Sequence, residues 1–186
     1  RGAREGHAMI VARAPLRITL GGGGADLPSY CRDHGGFLVA GAIDQFVHVA
    51  VSRRLEPGIL LRHAAIEQAA DSRGLRHPIV REALLLLGLG DAALEITTMA
   101  DLPAGTGLGS SGSFTVALLA ALHALRGDVP VWECLARQAA EIEIVRLAQP
   151  VGWQDPCIAA HGGIAAFEFA PDGTIVAAPL ALSAAT

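Results

Sequence analysis

No apolar run in this chain is long enough to cross a membrane. The longest, Phe114–Leu125, is interrupted by His123, and a span takes about 18–20 residues. The charges of Arg1, Arg4 and Glu5 have no apolar h-region behind them, so no signal peptide is expected. Cysteine is scarce. Cys31, Cys134 and Cys157 are odd in number, far apart and without metal-like spacing, which excludes a disulfide framework and fits a reducing cytoplasm. A basic excess is missing too: 14 Lys+Arg against 18 Asp+Glu leave a net charge of −4. Nucleic acid is therefore not an expected partner, although a local anion site needs only a few donors. With 17% charged and 52% hydrophobic residues, disorder is excluded. A chain of 186 residues fits one domain, or one domain and the start of a second.

Several segments carry regular patterns. Ile10–Leu20 reads as a strand closed by four glycines, and Phe37–Ala42 and Phe46–Val51 as two more. Ile59–Arg62 continues this antiparallel set after the Glu56-Pro57-Gly58 turn. Pro78 opens an amphipathic helix that ends at Gly88. Leu94–Met99 alternates as a strand, and Phe114–Arg126 reads as a buried helix. Val131–Ala148 reads as a second long helix, in which Trp132 serves packing, and Gly163–Ala170 and Thr174–Pro179 form a hairpin around Pro171-Asp172-Gly173. This order predicts an α+β fold: a mainly antiparallel sheet with helices packed on one face.

Between Leu94–Met99 and the buried helix lies Pro103-Ala104-Gly105-Thr106-Gly107-Leu108-Gly109-Ser110-Ser111-Gly112-Ser113. Glycines let a backbone turn sharply and approach a ligand closely. A helix N-terminus adds unpaired N–H groups and partial positive charge, which suit a phosphate. Serine hydroxyls add donors and can ligate a metal that the phosphate holds. No lysine follows the glycines, so this is not the Walker loop. A tight turn with serine caps and no ligand is the bland alternative.

Downstream, Glu141 and Glu143 are two apart on a helix, so at most one points into a given site. Asp155 lies in the broken stretch Val151–Pro156 and could equally cap the helix that begins there. Arg17 in the first strand and Asp26 after the glycine run could bracket a polar ligand, or be an edge-strand arginine and a loop aspartate. His48 reads as a core or edge residue.

Together these segments resemble the GHMP kinases, the superfamily of galactokinase, homoserine kinase and mevalonate kinase. Pro103–Ser111 is similar to the family's second motif, Pro15–Asp26 to its first, and Glu143 and Asp155 stand at the separation of its metal-binding glutamate and catalytic aspartate. Arg13–Ile18, Arg76–Glu82, Asp101–Ser111 and Val151–Asp155 resemble the D-glycero-D-manno-heptose 7-phosphate kinases in particular. The resemblance implies transfer of a phosphoryl group from ATP to a sugar hydroxyl, the anomeric one of a heptose 7-phosphate. It implies that Pro103, Gly105, Gly107, Leu108, Gly109, Ser110, Ser111 and Gly112 wrap ATP. Ser111 and Glu143 would hold Mg²⁺, with Ser110 as an alternate. Asp155 would orient or deprotonate the attacking hydroxyl and Arg17 would stabilise it. Asp26, with Gly23 and Gly24, would hold the sugar. A carboxylate beside an arginine is expected to stay ionised near neutral pH.

On this reading residues 9–170 are the family's N-terminal ATP-binding domain. Residues 1–8, ahead of Met9, are a tag, a misplaced start or disordered, and 171–186 begin the connection to a C-terminal domain that is missing. Pairing with another copy, in a homo-oligomer, would cover the face so exposed. Two residues depart from the family's pattern. Pro156 follows Asp155 and restricts its backbone, and Trp153 stands where a smaller or basic residue is expected. The alternatives to a kinase are a non-catalytic nucleotide- or sugar-phosphate-binding fragment of the same fold, and an association domain whose glycine loop is only a turn.

Overall fold

The computed structural model describes residues 9–103 and 105–181, so the expectations for residues 1–8 and 182–186 lie outside the described residues. Seven strands form one sheet: β1 (Ile10–Gly21), β2 (Gly36–Arg53), β3 (Ile59–Arg62), β4 (Ile66–Ala69), β5 (Leu94–Ala100), β6 (Ile164–Phe169) and β7 (Ile175–Pro179). The order is β4-β3-β5-β2-β6-β7, with β1 on the other side of β2. All pairings are antiparallel except β3 with β5. Among the described residues five α-helices accompany it: α1 (Pro28–His34), α2 (Pro78–Leu86), α3 (Ser110–Arg126), α4 (Trp132–Ala140) and α5 (Gln154–His161). The α+β class expected from the sequence is the one observed. None of these helices is long and apolar enough to cross a membrane.

The central strand differs from its expectation. Phe37–Ala42 and Phe46–Val51 belong to one continuous 18-residue strand, β2, rather than two. Between the pairs Pro15↔Phe46 and Arg17↔Ala42, β1 advances two residues while β2 advances four. This bulge, at the polar Asp44-Gln45 step, reverses which residues face inward. Leu38 and Ala40 are buried before it, Val47, Val49 and Val51 after it. One half of β2 then pairs with β6 and the other with β5.

Helices α3 and α5 pack on β1 and β2. On β1, Ala14 and Leu16 are buried beneath them, while Val11 on the opposite face is exposed. The larger core joins Val49, Ile59, Leu84 and Ile96 to Leu118 and Leu122 of α3. A second core gathers Leu38, Ala136, Cys157, Ile158 and Phe167. Trp132 stacks edge-on against His161 and Phe167, so it serves packing. Strand β7 extends the sheet beyond β6, forming the hairpin expected around Pro171-Asp172-Gly173.

Helix α1 and strand β4 come from segments without a helix or strand pattern of their own. The expected helix Val131–Ala148 is also divided: α4 stops at Ala140 and the chain widens into a π-type turn over Glu141–Arg146. Fully buried aromatic side chains in small cores are hard to replace, because the cavity left behind adds to the lost transfer energy. Phe167→Ala is expected to lower stability by ~3–5 kcal/mol, read as a reduced midpoint in urea unfolding.

Candidate active site

The glycine-serine loop is built from backbone conformations that favour glycine. Gly105, Gly107 and Gly109 have φ of 85°, 75° and 75°, alternating through the turn. A side chain at any of them would be strained. Gly109 then caps α3, whose first turn carries Ser110, Ser111 and Gly112. The N–H groups of that turn have no partner within the helix, which makes it a natural anion site. The loop is tied to β1 at two points. Arg17 N–H donates to the Leu108 carbonyl at 2.9 Å, and Ser113 Oγ donates to the Pro15 carbonyl at 2.7 Å. Pro103 is exposed at the loop's entrance.

Two of the singled-out side chains, Glu143 and Asp155, converge on the first turn of α3. The π-type turn carries Glu143 inward to 2% exposure, while Glu141 faces outward and pairs with Arg146 at 2.8 Å. Ser111 Oγ donates to Glu143 Oε1 at 2.6 Å and Thr115 Oγ1 to the same oxygen at 2.8 Å. Thr115 was not legible as a site residue; its spacing of one helical turn from Ser111 is the signal that points to it.

Asp155 arrives from α5. Arg17 Nε lies 2.7 Å and Nη2 2.6 Å from its Oδ1, and Arg17 Nη1 donates to the Gly107 carbonyl at 2.9 Å. A methyl group on Gly112 would sit 2.7 Å from Asp155 Cβ and 3.0 Å from Pro156 N. One on Gly109 would sit 3.2 Å from Asp155 Cγ. The glycines thus admit α5 against α3.

Asp155 does not cap its helix. It lies in the first turn, and Pro156 follows there, where a missing N–H removes no helical bond. The cap comes from Asp26, whose Oδ2 accepts the Gln154 N–H at 2.9 Å and whose Oδ1 accepts the Gly24 N–H at 3.2 Å. Asp26 is 2% exposed, and a methyl on Gly152 would collide with its Oδ2. Gly23 and Gly24 are exposed beside it. Gln154 Oε1 accepts from Thr19 Oγ1 at 2.9 Å, a further tie between β1 and α5. Trp153 lines a separate cavity of about 350 Å³ with Cys31, Phe169 and Pro171.

Burial and Arg17 act in opposite directions on Asp155. Burial pushes its carboxyl up, Arg17 pulls it down, and Asp26 adds repulsion; the outcome lies above the ordinary aspartate value. Glu143 is also raised, first by burial, with Asp155 adding to it and the Ser111 and Thr115 hydroxyls opposing. Among the described residues no cluster of three or more His, Cys, Asp or Glu side chains could hold a metal. A cation here would take oxygen donors from Ser111 and Glu143 and the rest from a ligand, the usual arrangement for Mg²⁺ with a nucleotide. The all-oxygen donors fit that ion.

Beside Ser110 and Ser111 opens a cavity of about 410 Å³, with Val47, Thr98, Met99 and Phe114 among its walls. Its apolar lining and its volume lie in the range of small-molecule sites.

Residues 78–163 match the GHMP kinases N terminal domain. The chain is 27% identical to a D-glycero-alpha-D-manno-heptose 7-phosphate kinase of Campylobacter jejuni, over 92% of this chain and 54% of that protein. It is 33% identical to a mevalonate kinase of Methanothermobacter thermautotrophicus, over 68% of this chain and 41% of that protein. Among solved structures, a D-glycero-D-manno-heptose 1-phosphate kinase from Bacteriodes thetaiotaomicron superposes with a TM-score of 0.87 at 25% identity, covering 94% of this chain and 60% of that one. The chain therefore spans about half the length of the curated relatives it matches.

A raised carboxyl binds its proton more tightly in the folded state, so stability is fully present below the unfolded value and lost as pH climbs through the folded one. Glu143→Gln keeps an oxygen for both hydroxyls and removes the buried charge. At pH 7 it is expected to raise the melting temperature by ~2–4 °C, the effect of about 1 kcal/mol in a domain of this size. The gain should vanish near pH 4, which melting curves across that range would show.

Proposed function

We infer, from a chain that carries a GHMP kinase N-terminal domain, that the protein transfers the γ-phosphoryl group of ATP to a sugar hydroxyl. The acceptor we propose is the anomeric hydroxyl of a heptose 7-phosphate, the class named for its Campylobacter relative. One observation carries this reading: Glu143 binds Ser111 in the first turn of α3, while Asp155 packs against Gly112 in the same turn.

Each residue has a role that its surroundings support. The N–H groups of the Gly105–Gly112 turn bind the phosphate oxygens of ATP, and the adjoining cavity receives its nucleoside. Ser111 Oγ and Glu143 would hold Mg²⁺, which supplies neutralisation of charge on the phosphates when bound. Asp155 accepts the proton of the attacking hydroxyl. As that oxygen bonds to the γ-phosphorus, the bond to the β–γ bridging oxygen breaks and ADP leaves. Both Arg17 contacts fall on Asp155 Oδ1, so a proton taken at Oδ2 neutralises the carboxyl but leaves both guanidinium hydrogen bonds in place. A raised pKa suits this work, because a base is most effective when its pKa approaches the operating pH. Phosphoryl transfer asks chiefly for positioning and charge neutralisation, and the packing of α3 against α5 supplies the first.

Asp26 enters as a support for the acceptor site. Its two oxygens are engaged by backbone N–H groups at the glycine turn and at α5, so it fixes the exposed Gly23-Gly24 turn relative to Asp155. The turn would meet the sugar, held in place by Asp26.

The test is Asp155→Asn, assayed by ADP release with a heptose 7-phosphate, galactose and mevalonate as acceptors. Transfer to the heptose phosphate is expected to fall by about 10²–10⁴-fold with nucleotide affinity kept. Undiminished turnover would overturn the assignment. Nucleotide binding without transfer in the unaltered protein would support a binding module instead.

A further inference from the structure

The wall of the cavity beside Ser110 and Ser111 carries a histidine that the phosphoryl-transfer reading leaves without a task. His77 precedes α2, and its Nδ1 accepts the Val80 N–H in a long bond of 3.5 Å. With Nδ1 an acceptor, the ring proton of the neutral imidazole resides on Nε2. Among the described residues nothing accepts a bond from that Nε2–H, and His77 lines the cavity.

The ring is held from two sides. His63 stands edge-on to it, with centroids 5.1 Å apart and planes at 88°. Phe114 of α3 lies tilted against it at 5.2 Å. Behind His63 is a buried carboxylate: His63 Nε2 lies 2.9 Å from Glu67 Oε1. The other oxygen of Glu67 accepts the N–H of Arg76, the residue before His77, at 2.6 Å. Glu67 therefore grips both the neighbour of the His77 ring and the peptide that leads into it. Burial pushes the Glu67 carboxyl up, but the Arg76 N–H and His63 outweigh it and hold it below its ordinary value. Burial and His63 lower the pKa of His77, which keeps its imidazole neutral near pH 7. A neutral donor suits an uncharged lone pair rather than a phosphate.

We propose that His77 Nε2–H donates to a lone-pair nitrogen or ribose oxygen of the purine nucleoside triphosphate seated in this cavity, and that Glu67 and His63 are positioning residues that set the His77 ring. The proposal rests on the kinase reading and adds to it the side chain that tells a nucleotide from bare polyphosphate. Phe114 closes one side of the cavity and Met99 another, giving the base apolar contact while His77 reads its edge.

Calorimetric titration with ATP and with tripolyphosphate separates the two ideas. The unaltered protein is expected to bind ATP more tightly than tripolyphosphate. His77→Phe, which keeps a ring and removes the donor, should weaken ATP about tenfold and leave tripolyphosphate unchanged. His77→Gln, which restores an N–H, should recover part of the loss. Glu67→Gln should weaken ATP about threefold, again sparing tripolyphosphate. As a measurement free of any variant, the nitrogen resonances of His77 should shift with ATP and stay in place with tripolyphosphate. An unchanged ATP affinity in His77→Phe, equal losses for both ligands, or an unresponsive Nε2 resonance would overturn the proposal. If the unaltered protein bound ATP no better than tripolyphosphate, the role of His77 would fall while the phosphate loop stood. If it bound neither, both would fall.

Discussion

The Arg17–Asp155 ion pair needs a floor with no side chains. Asp155 can reach Arg17 only because α5 lies directly against the start of α3, and that approach exists only because residues 109 and 112 are glycines. From this constraint much of the local design follows. The loop must bend through left-handed conformations to bring Gly109 under the pair. β2 bulges opposite Arg17, which lies beside the loop, and the Arg17 N–H and guanidinium hold the carbonyls of Leu108 and Gly107. Asp26 must cap α5 from outside, since Trp153 at the N-cap position has no side-chain oxygen to accept the Gln154 N–H.

The same closeness gathers three acidic groups: Asp155, paired with Arg17, is repelled by Asp26 and in turn repels Glu143. Asp26 and Glu143 are each 2% exposed, and Asp155 is largely covered. A domain built for stability alone would not crowd like charges in this way, because desolvation and repulsion both disfavour the ionised forms. Hydroxyls of Ser111 and Thr115 and the N–H groups of Gly24 and Gln154 compensate in part. What remains is a local surplus of negative charge beside a helix N-terminus, a setting in which a cation accompanying a phosphate finds ready partners.

The parts of this arrangement that are legible in the amino-acid sequence share a property: their chemistry is local. The alternating glycines and serines declare a turn and a helix start within eleven residues. Strands such as Leu94–Ala100 and the buried helix Phe114–Arg126 show their periodicity unaided. What stays hidden there depends on distant residues. β4 has an inverted pattern, since its one buried side chain is the charged Glu67 and Ile66 is exposed. α1 has seven residues and buries only Cys31. The widened turn at Glu141–Arg146 continues an ordinary helical sequence, and no short-range signal distinguishes it. The spacing argument that only one of Glu141 and Glu143 can turn inward holds, but which one does so is decided by Ser111 and Thr115 on another helix. Likewise, the capping of α5 by Asp26 joins residues 128 positions apart.

That separation has a consequence for how the molecule comes into being. Arg17 and Asp155 are 138 positions apart, and the Thr19–Gln154 contact spans 135. Synthesis that has reached the glycine loop has made β1 and the loop but not Asp155, the acidic residue of α5. Closure of so long a chain segment carries an entropy cost that its contacts repay only once it is complete. Ligands that favour the completed arrangement act on that step by mass action: they select finished molecules from a population of nearly folded ones, and occupancy itself becomes a marker of maturation.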